Sequence, residues 1–179
     1  MSSTHKDRVA AATTSLDAAT AAFLAFLDRL PETVAVQSLP GRWTPAGHAA
    51  HVALTNDVFF GVLQGGGPIA AFEGISDFPD EKWSMDAPPG GVVAPGILVP
   101  PPEIGRAAAA AQLRESAERL RPAIAALDEK RATSCVRLPW NVVSLYQMSE
   151  WAGGHTLRHL AQVNRELQLA TSRGFPAAS

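Results

Sequence analysis

Four long segments of this chain repeat apolar residues at the spacing of an α-helix, and this feature restricts the fold more than any other. The periodicity predicts helices over about residues 5–30, 45–64, 102–130 and 144–172. The sequence lacks an alternating apolar and polar segment long enough to predict a substantial β-sheet. Helices of about 20–28 residues are about 30–40 Å long and bury their apolar faces by packing side by side. We therefore predict an all-α chain that forms a four-helix bundle.

Local signals mark several helix boundaries. Thr44 is followed by Pro45, which combines a capping side chain with the residue preferred at the first helical position. Ser144 is followed three residues later by Gln147, the spacing of a capping box at the start of the last helix. These signals indicate where the second and fourth helices begin.

A long excursion, residues 65–102, separates the second and third helices. Fifteen of its 38 residues are Gly or Pro, so no regular element is predicted there. Phe72, Phe78 and Trp83 lie within it, and such residues are depleted in disordered segments. Neither flank could fold alone with only two helices, so the excursion is not a domain linker. We predict a single domain over residues 1–179, with this excursion packed over the helices as the roof of a pocket.

Charge and cysteine content exclude several classes of function. The formal net charge is −2 and no cluster of Lys or Arg stands out, which argues against a nucleic-acid partner. The single cysteine, Cys135, excludes an internal disulfide and a zinc site made of several thiolates of one chain. Asp17 and several hydroxyl residues interrupt the apolar N-terminal stretch, and no later stretch is long enough to span a membrane. We expect a cytoplasmic protein.

The histidines point to a metal site between two helices. His155 and His159 are four residues apart, so their side chains point the same way from adjacent turns of the fourth helix. In the second helix His51 lies on an apolar stripe, and His48 lies about 60° away around the same helix. Two inward-facing helices would bring three or four imidazoles together, and helix angles alone allow either His48 or His51 as a ligand. His5 lies in the N-terminal tail, where we expect it to be solvated.

Two stretches, "RWTPAGHAAHVALTND" and "SLYQMSEWAGGHTLRHLAQVNREL", resemble the DinB-like superfamily of bacterial four-helix-bundle metalloproteins. The matching residues are Trp43, Thr44, His51, His155, His159 and Gln162. The resemblance spans nearly the whole chain, and it implies a divalent ion, usually zinc or nickel, on His51, His155 and His159. It also implies a homodimer, and it places His48 behind the ligands or in a polar pocket wall. Gly153 and Gly154 are unusual within a helix and suggest the close approach of a ligand or a neighbouring helix.

The resemblance also suggests a reaction, since the superfamily includes mycothiol-dependent maleylpyruvate isomerase and thiol S-transferases. It implies a metal-dependent enzyme that acts on a small molecule through a low-molecular-weight thiol. No catalytic residue is predicted, but some side chains are candidates for pocket walls, for anion binding or for a general base. Trp83, Trp140 and Trp151 are candidates for pocket walls. Arg158 and Arg165 are candidates for anion binding, and Glu150 and Glu166 are candidates for a general base. Two alternatives stay open: a non-catalytic stress protein that binds a metal or small molecule, and a metal-free helical dimer with an apolar interaction face.

Overall fold

The computed structural model describes residues 4–38, 41–83 and 93–172, and these are mostly helical, in agreement with the predicted all-α class. The four long helices are α1 (His5–Arg29), α3 (Pro45–Leu63), α4 (Arg106–Ala125) and α6 (Leu145–Ser172). Two short helices, α2 (Glu32–Ala35) and α5 (Glu129–Ala132), follow α1 and α4. The first, second and fourth predicted helices agree with α1, α3 and α6 to within about one residue.

The capping signals in the sequence account for these helix starts. Thr44 accepts a hydrogen bond from the Gly47 amide at 2.8 Å, with Pro45 at the first helical position. Ser144 and Gln147 form the predicted capping box: the Ser144 amide donates to Gln147 Oε1 at 3.1 Å, and the Gln147 amide donates to Ser144 Oγ at 3.2 Å. Both caps fix where the helices that carry the histidines begin.

The third predicted helix, residues 102–130, is shorter and divided. It begins only at Arg106, and Gly105 holds the N-cap position in an extended conformation. It ends at Ala125, and Asp128 then caps α5 by accepting from the Arg131 amide at 2.9 Å. A side-chain cap therefore starts a new helix where the apolar periodicity alone predicted a continuous one.

A small β-hairpin lies before α6, where no strand was predicted. Strands β1 (Cys135–Arg137) and β2 (Val142–Ser144) pair antiparallel, with Val136 opposite Val143. Pro139 lies in the connection between the two strands, where its missing N–H costs no ladder hydrogen bond. The prediction failed because each strand has only three residues, too few to show alternation.

Packing between the long helices forms the core. Helix α1 packs on α4 and α6, and α3 packs on the same two helices. Gly153 lets α6 approach α1 closely, because a Cβ added there would lie 2.8 Å from the Ser15 carbonyl carbon and 3.0 Å from the Leu16 nitrogen. The expected close approach at this glycine is therefore to a neighbouring helix.

The described part of residues 65–102 is attached to the hairpin and to α6. Phe72 exchanges backbone hydrogen bonds with Cys135, both at 2.8 Å. The Gln147 side chain accepts from Ser76 Oγ and donates to the Phe78 carbonyl, each at 2.5 Å. The residue that caps α6 therefore also holds the excursion.

Among the described helices, only α1 is long and apolar enough to cross a membrane. A third of its most apolar 18-residue segment is buried inside the protein, and Leu16 and Phe23 are completely buried. The core helix of a protein that never meets a membrane can have the same length and hydropathy, so α1 is weak evidence for a membrane span.

Candidate metal centre

Three buried imidazoles meet between α3 and α6. One ring nitrogen from each of His51, His155 and His159 lies within 4.8 Å of the other two. Nε2 of His155 is 3.0 Å from Nε2 of His159, as their one-turn separation on α6 requires. Two nitrogens that bind one tetrahedral ion at roughly 2.0–2.1 Å are about 3.3 Å apart. The spacing of this pair therefore fits two ligands of one cation.

A backbone carbonyl orients His51. Its Nδ1 lies 2.7 Å from the Leu98 carbonyl oxygen, in the single-turn helical segment Gly96–Leu98. A carbonyl oxygen only accepts, so Nδ1 carries the hydrogen and Nε2 keeps its lone pair. Metal-binding histidines are held in this way by an acceptor on the ring nitrogen that does not bind the metal. Residues 65–102 thus contribute to the site itself as well as to the pocket above it.

His48 and Glu166 orient His159 from behind. Nδ1 of His48 is 3.0 Å from Nδ1 of His159, and Nε2 of His48 is 3.3 Å from Glu166 Oε2. The second contact is within ion-pair distance but is not aligned as a hydrogen bond. The carboxylate favours the hydrogen on His48 Nε2, so that His48 Nδ1 accepts from His159 Nδ1–H. Nε2 of His159 is then a free electron-pair donor toward the other two imidazoles.

Burial keeps the three imidazoles neutral. Burial is the main cause of the lowered pKa of His51. It is also the main reason why the pKa values of His155 and His159 lie well below the usual histidine value. Nδ1 of His155 is buried without a hydrogen-bond partner in the described structure. Neutral imidazoles are the form that binds zinc, nickel and related divalent ions. This donor set therefore fits a divalent metal ion.

The same burial makes acid destabilise the metal-free protein. Below about pH 6.5 the unfolded chain binds protons at these histidines that the folded chain does not bind. We expect the free energy of unfolding to fall as the pH is lowered from 6.5, by about 1.4 kcal/mol per pH unit for each such histidine, and to be level above about pH 7. Urea unfolding of chelator-treated protein at several pH values measures this slope. A triple variant with alanine at positions 51, 155 and 159 should lose most of this pH dependence. An equal slope in both proteins would show that these histidines do not cause it.

An apolar cavity of about 570 Å³ opens above the imidazoles. Trp140 and Trp151 line it as predicted, but Trp83 packs against Phe78 instead, with ring centroids 5.6 Å apart. Trp43 was not predicted as a wall, yet it lines the cavity with its ring centroid 4.7 Å from that of His51. The sequence signal for this role was that Trp43 directly precedes the Thr44 cap, which places it beside the first residues of α3.

Of the remaining candidate residues, one lines the cavity and the others lie elsewhere in the protein. Arg158 lines the cavity, whereas Arg165 is exposed and is not among its described lining residues. Glu150 accepts a hydrogen bond from Arg8 at 2.7 Å and has no described contact with the histidines, which excludes it as a base at the site. Burial raises the pKa of the Cys135 thiol, which is in the hairpin and not at the cavity. His5 is half-buried rather than solvated, with Nδ1 2.6 Å from the Tyr146 hydroxyl.

The chain matches a known protein family. The family model described as the DinB superfamily matches residues 15–163, which include the whole of α3 and all three imidazoles of the cluster. No curated protein and no solved structure matches the chain. The match covers far more than half of the sequence, and the chain therefore belongs to the DinB superfamily.

Proposed function

We propose that this DinB-superfamily protein binds one divalent metal ion, zinc or nickel, through His51, His155 and His159. The observation that carries the proposal is the convergence of their ring nitrogens within 4.8 Å in a buried site. Acceptors behind His51 and His159 favour the tautomers that leave Nε2 unprotonated. Three protein ligands leave positions on the ion for a further ligand, which is the arrangement of catalytic rather than structural sites.

We further propose that the protein is a metal-dependent enzyme of the S-transferase or isomerase type, which uses a low-molecular-weight thiol. A bound divalent cation supplies a Lewis acid that lowers the pKa of a thiol or water reaching it from the cavity. Because the only cysteine of the chain is buried in the hairpin, a reacting thiol has to come from outside. The cavity of about 570 Å³ is within the usual range for small-molecule sites.

The rest of the proposal concerns the whole chain. The four long helices form a four-helix bundle as a single domain, and residues 65–102 roof its pocket. In support, residues 93–95, 97 and 98 line the cavity, and the Leu98 carbonyl contacts His51. The protein acts as a cytoplasmic homodimer on a small molecule and not on nucleic acid or a membrane.

A non-catalytic metal or small-molecule binding protein is the second candidate. One observation favours it: no Asp or Glu is among the described residues that line the cavity. Glu166 contacts His48, Gln162 and Arg42, and none of its described contacts is with the three imidazoles. A reaction that needs a carboxylate as general base is therefore not supported at this site.

Metal analysis and a conjugation assay separate these candidates. Purified protein should contain about one divalent ion per chain. With mycothiol or glutathione and 1-chloro-2,4-dinitrobenzene, the enzyme should accelerate loss of chloride, and a chelator should abolish this acceleration. Bound metal without chelator-sensitive turnover on a panel of thiols and electrophiles would support the binding protein. Absence of metal would refute the metal-dependent enzyme and a metal-binding protein, and it would leave a small-molecule binding protein or the metal-free dimer.

A further inference from the structure

The charged side chains among the described residues that line the cavity are all positive. Arg42 and Arg158 line it, and no acidic residue is among its described lining residues. Glu166 lies behind His48, and one of its oxygens is 3.7 Å from Nε of Arg42. A divalent ion on the three imidazoles would add further positive charge, so the cavity disfavours cations and attracts anions.

Both arginines are next to elements of the site. Arg158 precedes His159 on α6 and is half-buried, whereas the Arg42 side chain precedes Trp43 and is 58% exposed at the rim. Because Arg158 lines the cavity and is partly buried, its guanidinium binds a carboxylate there more strongly than an exposed one would.

Most of the other described lining residues are apolar, and several of these are aromatic. Trp43, Trp140 and Trp151 surround the cavity, and Phe59 lies beside Trp151 with ring centroids 5.7 Å apart. Flat rings stack favourably on such walls, and apolar area supplies most of the affinity in small-molecule sites. A small hydrophilic anion would leave these walls unused.

We propose that the substrate is an apolar, ring-sized molecule with a single anionic group, such as an aromatic carboxylate, whose ring lies against the tryptophans and whose anion is held by Arg158 and Arg42. This deepens the proposed function, on which it rests, by naming the chemical class of the substrate. The arginines hold the anion at the rim, and the apolar part of the molecule then lies over the three imidazoles.

Calorimetric titration with three probes of the same shape tests the proposal: 2-naphthoate, 2-naphthamide and 2-naphthylmethylammonium. In metal-free protein we expect 2-naphthoate to bind about tenfold more tightly than 2-naphthamide, and the ammonium not to bind measurably. Arg158→Gln should reduce the acid-to-amide ratio to about threefold or less, and Arg158→Lys should restore part of it. The control Arg165→Gln removes the same charge from an exposed position of α6 outside the cavity and should leave the ratio unchanged.

Equal binding of the acid and the amide by metal-free protein would overturn the proposal. A preference for the acid that appears only after metal loading would also overturn it, because the anion would then be on the metal. A preference that survives in the Arg158→Gln/Arg42→Gln double variant would refute the two arginines as its cause. The metal content is measured separately and tests the proposed function. A protein without metal would contradict the proposed function, whereas equal binding of the acid and the amide would contradict only the proposed substrate class.

Discussion

We expect the His159→Ala variant to bind a divalent ion more than about 100-fold more weakly than the natural protein, because the proposed site would keep only two of its three imidazoles. In the natural protein Nε2 of His159 faces His155, and its Nδ1 is held by His48. Removing one of three ligands leaves two, which is too few for a stable site in a protein that must compete with water and chelators. Metal analysis after dialysis, and competition with a chromophoric chelator, measure this loss.

Two other histidines serve as comparisons for this variant. His48→Ala removes the side chain behind His159 and should weaken metal binding by about 10- to 100-fold, the usual effect of losing such a partner. His5→Ala removes a histidine that contacts Tyr146, away from the cluster, and should retain the metal. All three variants should keep their helical circular dichroism. If His159→Ala retains the metal as tightly as His5→Ala does, the assigned ligands are wrong.

Substitution of Gly153 by alanine should destabilise the protein strongly. The added Cβ would lie 2.8 Å from the Ser15 carbonyl carbon, and that atom belongs to the backbone of α1 and cannot rotate away. Helices α1 and α6 must separate to admit it, and such overpacking costs about 1–3 kcal/mol or more. For a chain of this size each kcal/mol lowers Tm by about 2–4 °C. Thermal and urea unfolding with chelator present measure the change without a contribution from bound metal.

Gly61→Ala is the matched control, since Gly61 also lies inside a long helix. The nearest atom to a Cβ at this position is the Gly67 Cα at 3.4 Å, which is an ordinary contact. Alanine has a higher helix propensity than glycine, so this variant should be as stable as the natural protein or more stable by up to about 1 kcal/mol. If Gly153→Ala is equally harmless, the close approach of α1 to α6 does not limit the side chain at position 153.

The helix boundaries that could be predicted depend on interactions within a few residues. The capping pairs Thr44–Pro45 and Ser144–Gln147 are local, and α3 and α6 begin where those pairs predict. The predicted boundaries were wrong where a longer-range signal, or one that competes with the apolar periodicity, determined the structure. Asp128 capped a separate helix that periodicity had merged with the preceding one, and the hairpin strands are too short for alternation to show.

The candidate site divides in the same way. The helical spacing of His155 and His159 predicts that they face the same side, and the structure places their Nε2 atoms 3.0 Å apart. Helix angles could not separate His48 from His51, because both lie near the inward face of α3. In the structure His51 is in the three-histidine cluster and His48 is behind His159. The Leu98 carbonyl gave no signal in the sequence, because any residue supplies a backbone oxygen.

By itself, the sequence determined the helical class, the starts of three long helices and the pairing of histidines along each helix, because periodicity and capping act over one or two turns. Only the tertiary structure decided which imidazoles meet, which arginine faces the cavity and which glycine admits a neighbouring helix. These depend on distances between residues about 50 to 140 positions apart in the chain, such as Leu98 to His51 and Ser15 to Gly153. Such distances follow from how whole helix faces pack together, and no local pattern of residues contains them.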